Sequence, residues 1–119
     1  MNFVDYLEIE YIKDEDEEII TRIPIKEYCL NIHGIVHGGI TMTLIDTACG
    51  KKADEYFKGE SFVTVDGLTN FLRPASDSKY LYAKCTCKKA GRTMINIDCD
   101  VFDDNRKLIA MGRFSFMKV

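Results

Sequence analysis

Between Ile95 and Val101 the chain alternates without a break. Ile95, Ile97, Cys99 and Val101 are apolar, and Asn96, Asp98 and Asp100 lie between them. A period of two places each set on its own side of an extended chain, which predicts a strand with one buried face. After an Asp103-Asp104-Asn105 turn, Leu108, Ala110, Gly112, Phe114 and Phe116 provide one continuous face for a final strand. Two more strands are predicted upstream: Phe62 to Leu72, ended by Arg73-Pro74, and Tyr80 to Lys88, followed by a turn at Gly91-Arg92. These four strands are expected to run as a meander.

Nearer the N-terminus, Leu7, Ile9 and Tyr11 alternate with Glu8 and Glu10 and predict a half-buried strand. The acidic run Asp14–Glu18 reads as a solvated turn. Ile19 to Ile25 reads as a returning strand, with Pro24 confining it to an edge. The middle of the chain has a different period. From about Gly38 to about Phe57, Ile40, Leu44, Ile45, Ala48, Cys49, Ala53, Tyr56 and Phe57 recur at spacings of three and four, which predicts a long helix. Its second half carries Lys51, Lys52, Asp54, Glu55 and Lys58, so the first half is expected to be the buried one, with Gly59 as terminator. Strands, one long helix and then more strands make an α+β domain, a helix packed on an antiparallel sheet. No repeat or linker divides it, so residues 1–119 are expected to form a single domain.

Composition narrows the function. The chain has 119 residues, 46% hydrophobic and 29% charged, with a formal net charge of −3. That balance argues against nucleic-acid binding, which needs a basic surface. No apolar run is long enough to span a bilayer. The first residues lack the basic start and apolar core of a secretory signal, and a cytoplasmic location is expected. The five cysteines are odd in number and contain no CxxC pair, so reduced, mostly buried thiols are expected. With two histidines and no clustered ligand spacing, no metal site is expected.

The candidate chemistry sits at the start of the helix. Asp46 is the one charge between Ile40 and Gly50. Burying a lone carboxylate costs several kcal/mol unless something pairs with it or uses it, so Asp46 is a candidate for catalysis. Just before it stands Asn31-x-x-Gly34-x-Val36-His37-Gly38-Gly39. After it come Val63-Thr64-x-Asp66, Asn70-Phe71-Leu72-Arg73-Pro74-Ala75 and Gly91-Arg92-Thr93. This ordered set resembles the hotdog-fold acyl-CoA thioesterases of the phenylacetate-pathway (PaaI-like) type, from about Asn31 to Phe116.

The resemblance implies a curved antiparallel sheet wrapped around one long helix. It implies a homodimer or a dimer of dimers, with active sites across the subunit interface, and an acyl-CoA substrate with no cofactor beyond the coenzyme A it carries. Asp46 matches the catalytic carboxylate, as general base or nucleophile. Gly38 matches the oxyanion donor, through an N–H at a helix start where negative charge is stabilised. Asn31 matches an amide that orients water or thioester, and Thr64 a hydroxyl that bonds the nucleophilic water. His37 belongs to the motif, more as a local hydrogen-bonding residue than as the acid–base catalyst. Gly39, Arg73, Lys88, Lys89, Arg92 and Thr93 are candidates for substrate contact, the four cations for the phosphates of coenzyme A. The resemblance further implies that Asn31 and Gly38 come from one subunit, Asp46 and Thr64 from the other. Helix geometry agrees, because eight residues at ~1.5 Å each separate Gly38 from Asp46 by about 12 Å. The alternatives are an acyl-CoA-binding module without catalysis and a hotdog hydratase or dehydratase.

Overall fold

A computed structural model describes all residues from Met1 to Val119. The chain runs α1 (Phe3–Tyr6), β1 (Glu10–Lys13), β2 (Ile19–Pro24), a 3-10 turn (Glu27–Cys29), α2 (Gly38–Phe57), β3 (Phe62–Phe71), β4 (Tyr80–Ala90), β5 (Met94–Phe102) and β6 (Leu108–Lys118). The six strands form one antiparallel sheet in the order β1-β2-β4-β5-β6-β3. Helix α2 packs against β2 through β6. This is the α+β hotdog arrangement that the resemblance implies.

The sheet is not the simple meander expected for its last four strands. β4, β5 and β6 follow one another, but β3 pairs with β6 and takes the far edge. The reason lies in the faces the strands can offer the helix. β6 buries Ile109, Ala110, Phe114 and Phe116. β3 carries Thr64, Asp66, Gly67, Thr69 and Asn70 and has no continuous apolar side, so it is excluded from the centre.

α2 spans the predicted residues. Its buried stripe is Thr41, Leu44, Ile45, Ala48, Cys49, Ala53 and Phe57, the three-and-four spacing of one helix face. The stripe runs the whole length, which corrects the expectation that the first half alone is buried. The first half also has an uncharged face turned from the sheet, where Met42 is 43% exposed. The helix stops at Lys58, which takes a left-handed conformation (φ 51°) ahead of Gly59 (φ 85°), so the glycine follows the cap instead of forming it.

Two further expectations change near the N-terminus. Asn2 caps α1 by accepting from Asp5 N at 2.8 Å, and Leu7 and Ile9 are buried in the turn that follows, outside any strand. β2 is internal, between β1 and β4, and β1 is the edge. Pro24 is tolerated because β1 ends its pairing at Arg22, leaving Pro24 a neighbour on the β4 side only. The acidic run is a turn as predicted, with Asp14 Oδ1 accepting from Asp16 N and Glu18 N, both at 2.9 Å. On β5, Ile95, Ile97, Cys99 and Val101 are all buried. No helix is long and apolar enough to cross a membrane.

Candidate active site

The start of α2 is pinned from behind and left open in front. Val36 N donates to Ala75 O at 2.9 Å and His37 N to Cys29 O at 2.8 Å, fixing the entering chain. The first N–H groups of a helix have no partner within it. Here His37 takes most of them: its Nδ1 accepts from Gly39 N at 2.8 Å, and its carbonyl accepts from Ile40 N at 2.9 Å and Thr41 N at 3.4 Å. His37 is thus the N-cap, and Gly39, whose N–H is already taken, is not free to donate. The N–H of Gly38 makes no hydrogen bond within the chain. It is a donor at the positive end of a 20-residue helix, suited to developing negative charge.

Asn31 stands beside it in the loop. Its Oδ1 accepts from His33 N at 2.8 Å and Ile35 N at 3.4 Å, and its carbonyl accepts from Gly34 N at 3.0 Å. Gly34, at φ 76°, supplies the left-handed turn this requires. The carbonyl end of the amide therefore builds the loop, and Nδ2 is left to donate. Asn31, Gly38, Thr41, Phe71 and Arg73 line a shallow cavity of about 350 Å³. The Phe71 ring covers Gly38 so closely that a Cβ there would stand 3.2 Å from it.

Two turns along the helix, Asp46 is half-buried, less enclosed than its uncharged flanks suggested. Thr64 Oγ1 on β3 donates to its Oδ1 at 2.8 Å, leaving the other carboxylate oxygen open. Thr64 stands at a bulge, where the pairing of β3 with β6 shifts between Thr64 and Asp66. One chain therefore holds two separate polar groups: Gly38 with Asn31, and Asp46 with Thr64. The first can hold an oxyanion and the second can take a proton or attack a carbonyl.

The candidate phosphate contacts are divided in the same way. Arg73 lines the Gly38 cavity, with Nη1 donating to Leu108 O at 2.8 Å. Lys88, Lys89, Arg92 and Thr93 cluster around the β4–β5 hairpin at the opposite end of β3, where Lys118 N donates to Thr93 O at 2.9 Å. Lys88 lies 4.0 Å from Asp98. Asp98 also accepts from Arg113 Nε and Nη2 at 2.6 and 3.1 Å, and this guanidinium holds its carboxyl below the ordinary range.

Two features were not foreseen. Phe71 faces Gly38 because the bulge resets the alternation of β3, and no local pattern announces a bulge. Cys49, Cys85 and Cys99 bring their sulfurs within 4.8 Å of one another. The expectation of no clustered metal ligands rested on sequence spacing, which cannot register a meeting of one helix with two strands.

The chain is similar in sequence and fold to known proteins. A family model described as the thioesterase superfamily matches residues 33–110. Acyl-coenzyme A thioesterase 13 from Mus musculus is 29% identical over 98 residues, 82% of this chain and 70% of that protein. A Bacillus halodurans protein whose crystal structure was solved with CoA is 31% identical with a TM-score of 0.93, covering 100% of this chain and 79% of that one. The Escherichia coli PaaI protein, from the phenylacetic acid degradation operon, shares the fold at a TM-score of 0.87 and 23% identity, over 98% of this chain and 83% of that one. The chain belongs to the thioesterase superfamily.

Proposed function

We propose that the protein is an acyl-CoA thioesterase whose active site is completed by a second copy of the chain. The observation that carries this reading is the division of the site. An unpaired helix-start N–H at Gly38 and a Thr64-bonded carboxylate at Asp46 are complementary halves of a hydrolytic site. They lie about 12 Å apart along one helix, at ~1.5 Å per residue. Two antiparallel copies would bring each Gly38 beside the other chain's Asp46.

The edge of the sheet supports such a pairing. β3 is a ten-residue edge strand with Val63, Val65, Leu68 and Phe71 between 46% and 65% exposed. Long exposed edge strands invite another strand, and natural proteins blunt or cover them. The uncharged outer face of α2 around Met42 would be covered by the same association. A C2 dimer reuses one patch twice and creates two equivalent sites.

In the reaction, the thioester carbonyl oxygen accepts from Gly38 N–H. Asp46 either takes a proton from the attacking water or attacks the carbon itself, forming an anhydride that water then opens. Thr64 fixes the carboxylate. The coenzyme A sulfur leaves and takes up a proton, so thioester and water become acid and thiol, with no cofactor required. Asn31 Nδ2 orients the water or the thioester, and Arg73, Lys88, Lys89 and Arg92 are candidates for the coenzyme A phosphates. The likeness to a CoA-bound structure and to a mouse acyl-coenzyme A thioesterase supports coenzyme A as the leaving group.

The test is hydrolysis of a panel of aryl- and fatty-acyl-CoAs, followed by loss of thioester absorbance, with Asp46→Ala alongside. Turnover that falls at least about 10³-fold in a folded Asp46→Ala protein is expected. Unchanged turnover in that variant would remove Asp46 from the mechanism. Tight acyl-CoA binding with no hydrolysis of any ester would make the protein a binding module instead.

A further inference from the structure

Cys49, Cys85 and Cys99 meet where α2 crosses β4 and β5. Cys49 lies on the buried stripe of the helix, and Cys85 and Cys99 are directly opposed partners in the β4–β5 register. The three sulfurs all lie within 4.8 Å of one another, and Cys49 and Cys85 are 3.9 Å apart. Cys49 and Cys99 are buried, whereas Cys85 is half-buried and lines a cavity of about 300 Å³ together with Ala48, Lys51, Lys52 and Glu55. None of the three cysteines hydrogen-bonds to Asp46 or lines the cavity at Gly38.

We propose that this trio is a binding site for a soft, thiophilic cation held by three sulfurs, monovalent copper being its best match. Three points no more than 4.8 Å apart have a common centre within about 2.8 Å of each, and metal–sulfur bonds of ~2.3 Å require each sulfur to move by roughly 0.5 Å. A trigonal site with such bonds has its sulfurs ~4.0 Å apart, a spacing Cys49 and Cys85 already have at 3.9 Å. Thiolate ligands select copper(I), zinc and iron–sulfur clusters. Closed zinc sites and iron–sulfur clusters take four protein ligands, and no His, Asp or Glu joins this group. A copper(I) ion is satisfied by three sulfurs.

The route to the site and its protons fit the same occupant. Cys85 is the sulfur the cavity reaches, and Cys49 and Cys99 are free, buried thiols. Coordination displaces the thiol protons to water as the metal–sulfur bonds form. The cation offsets one thiolate charge, and Lys52 stands at the cavity, itself paired with Glu55 at 3.1 Å.

The test is an anaerobic titration of the fully reduced protein with copper(I) buffered by bicinchoninate, a coloured copper(I) chelator. One equivalent of copper should be withdrawn from the chelator by the parent. Cys29→Ala and Cys87→Ser, at cysteines outside the trio, should bind as the parent does. Cys85→Ser, the least buried of the three changes, should bind at least about tenfold more weakly, since removing even an outer-sphere partner costs that much. Circular dichroism confirms that each variant is folded. X-ray absorption of the parent complex checks the geometry without any mutation: three sulfurs at about 2.3 Å are expected. A parent that holds copper no better than Cys85→Ser, or a two-sulfur spectrum, would overturn the proposal.

Discussion

Gly112 sets how closely α2 approaches the sheet, and filling it measures that packing. A methyl group there would stand 2.8 Å from Ile45 Cγ2, 3.2 Å from Ile45 Cδ1 and 3.4 Å from Leu68 O. Carbon atoms are in favourable contact at about 3.5–4.0 Å, so the first of these is a hard overlap. Ile45 is 0% exposed, and a β-branched side chain in a helix has one strongly preferred χ1, so it cannot swing aside. Overpacking of this kind costs roughly 1–3 kcal/mol. The opposing effect is smaller. Gly112 is not in the left-handed region, so alanine there would stabilise by about 0.4–1 kcal/mol through the unfolded chain alone. Gly112→Ala should therefore destabilise by up to about 2.6 kcal/mol, the two effects cancelling only where the smallest overpacking meets the largest entropic gain. At about 3–6 °C per kcal/mol for a chain of this length, Tm falls by up to roughly 15 °C. Urea and thermal unfolding followed by circular dichroism would read this for the parent, Gly112→Ala, Ile45→Ala and the double variant. Ile45→Ala alone should cost about 2–5 kcal/mol by opening a cavity. In the double variant the new methyl enters that cavity, so the two losses should sum to at least about 1 kcal/mol more than the double variant shows. A Gly112→Ala protein more stable than the parent, or additive losses, would refute the close approach of α2 to β6.

Two further predictions address the site and its surroundings. Gly38→Pro removes the N–H at the first helical position, where proline is favoured, and adds a ring whose Cβ meets Phe71 at 3.2 Å; His37 at φ −62° and ψ 135° already has the conformation that precedes proline. It should lower kcat/KM about 10²–10³-fold, while Gly38→Ala, which places the same Cβ against Phe71 but keeps the N–H, should retain most activity; equal losses would contradict an oxyanion role. Asp98 has its carboxyl held low by Arg113, so its contribution to stability is complete above the unfolded carboxylate value of about 3.9 and is lost as pH falls through the lower native value. With Arg113 61% exposed, the stability difference between the parent and Asp98→Asn should be under about 1 kcal/mol at neutral pH and vanish in acid. A difference independent of pH, read by urea unfolding, would contradict the assignment.

The parts of the molecule that were legible in the sequence are those written locally. α2 announces itself by its three-and-four spacing, and β5 by four alternating residues that are all buried. The place of β3 was not legible, because strand order depends on which strand offers the helix an apolar face, and that is decided against β6, about 45 residues away. The start of the chain misled because Leu7 and Ile9 are buried from a capped turn, which yields the same alternation as a strand. Of the site, Asp46, Thr64 and Gly38 stood out by residue type and order. Phe71 over Gly38 and the cysteine trio did not, since one depends on a bulge and the other on the Cys85–Cys99 register combined with the phase of α2.

In the proposed reaction, thioester hydrolysis takes place at a site built from the Gly38 half of one chain and the Asp46 half of another. Its most direct test mixes two inactive proteins. Gly38→Pro and Asp46→Ala, co-expressed in equal amounts under different tags, should form heterodimers in about half of the assemblies, each carrying one intact site of two. Acyl-CoA hydrolysis should then recover to about a quarter of the parent rate, although each variant alone is nearly inactive. A mixture with demonstrated heterodimers and no recovered hydrolysis would contradict a site shared between chains.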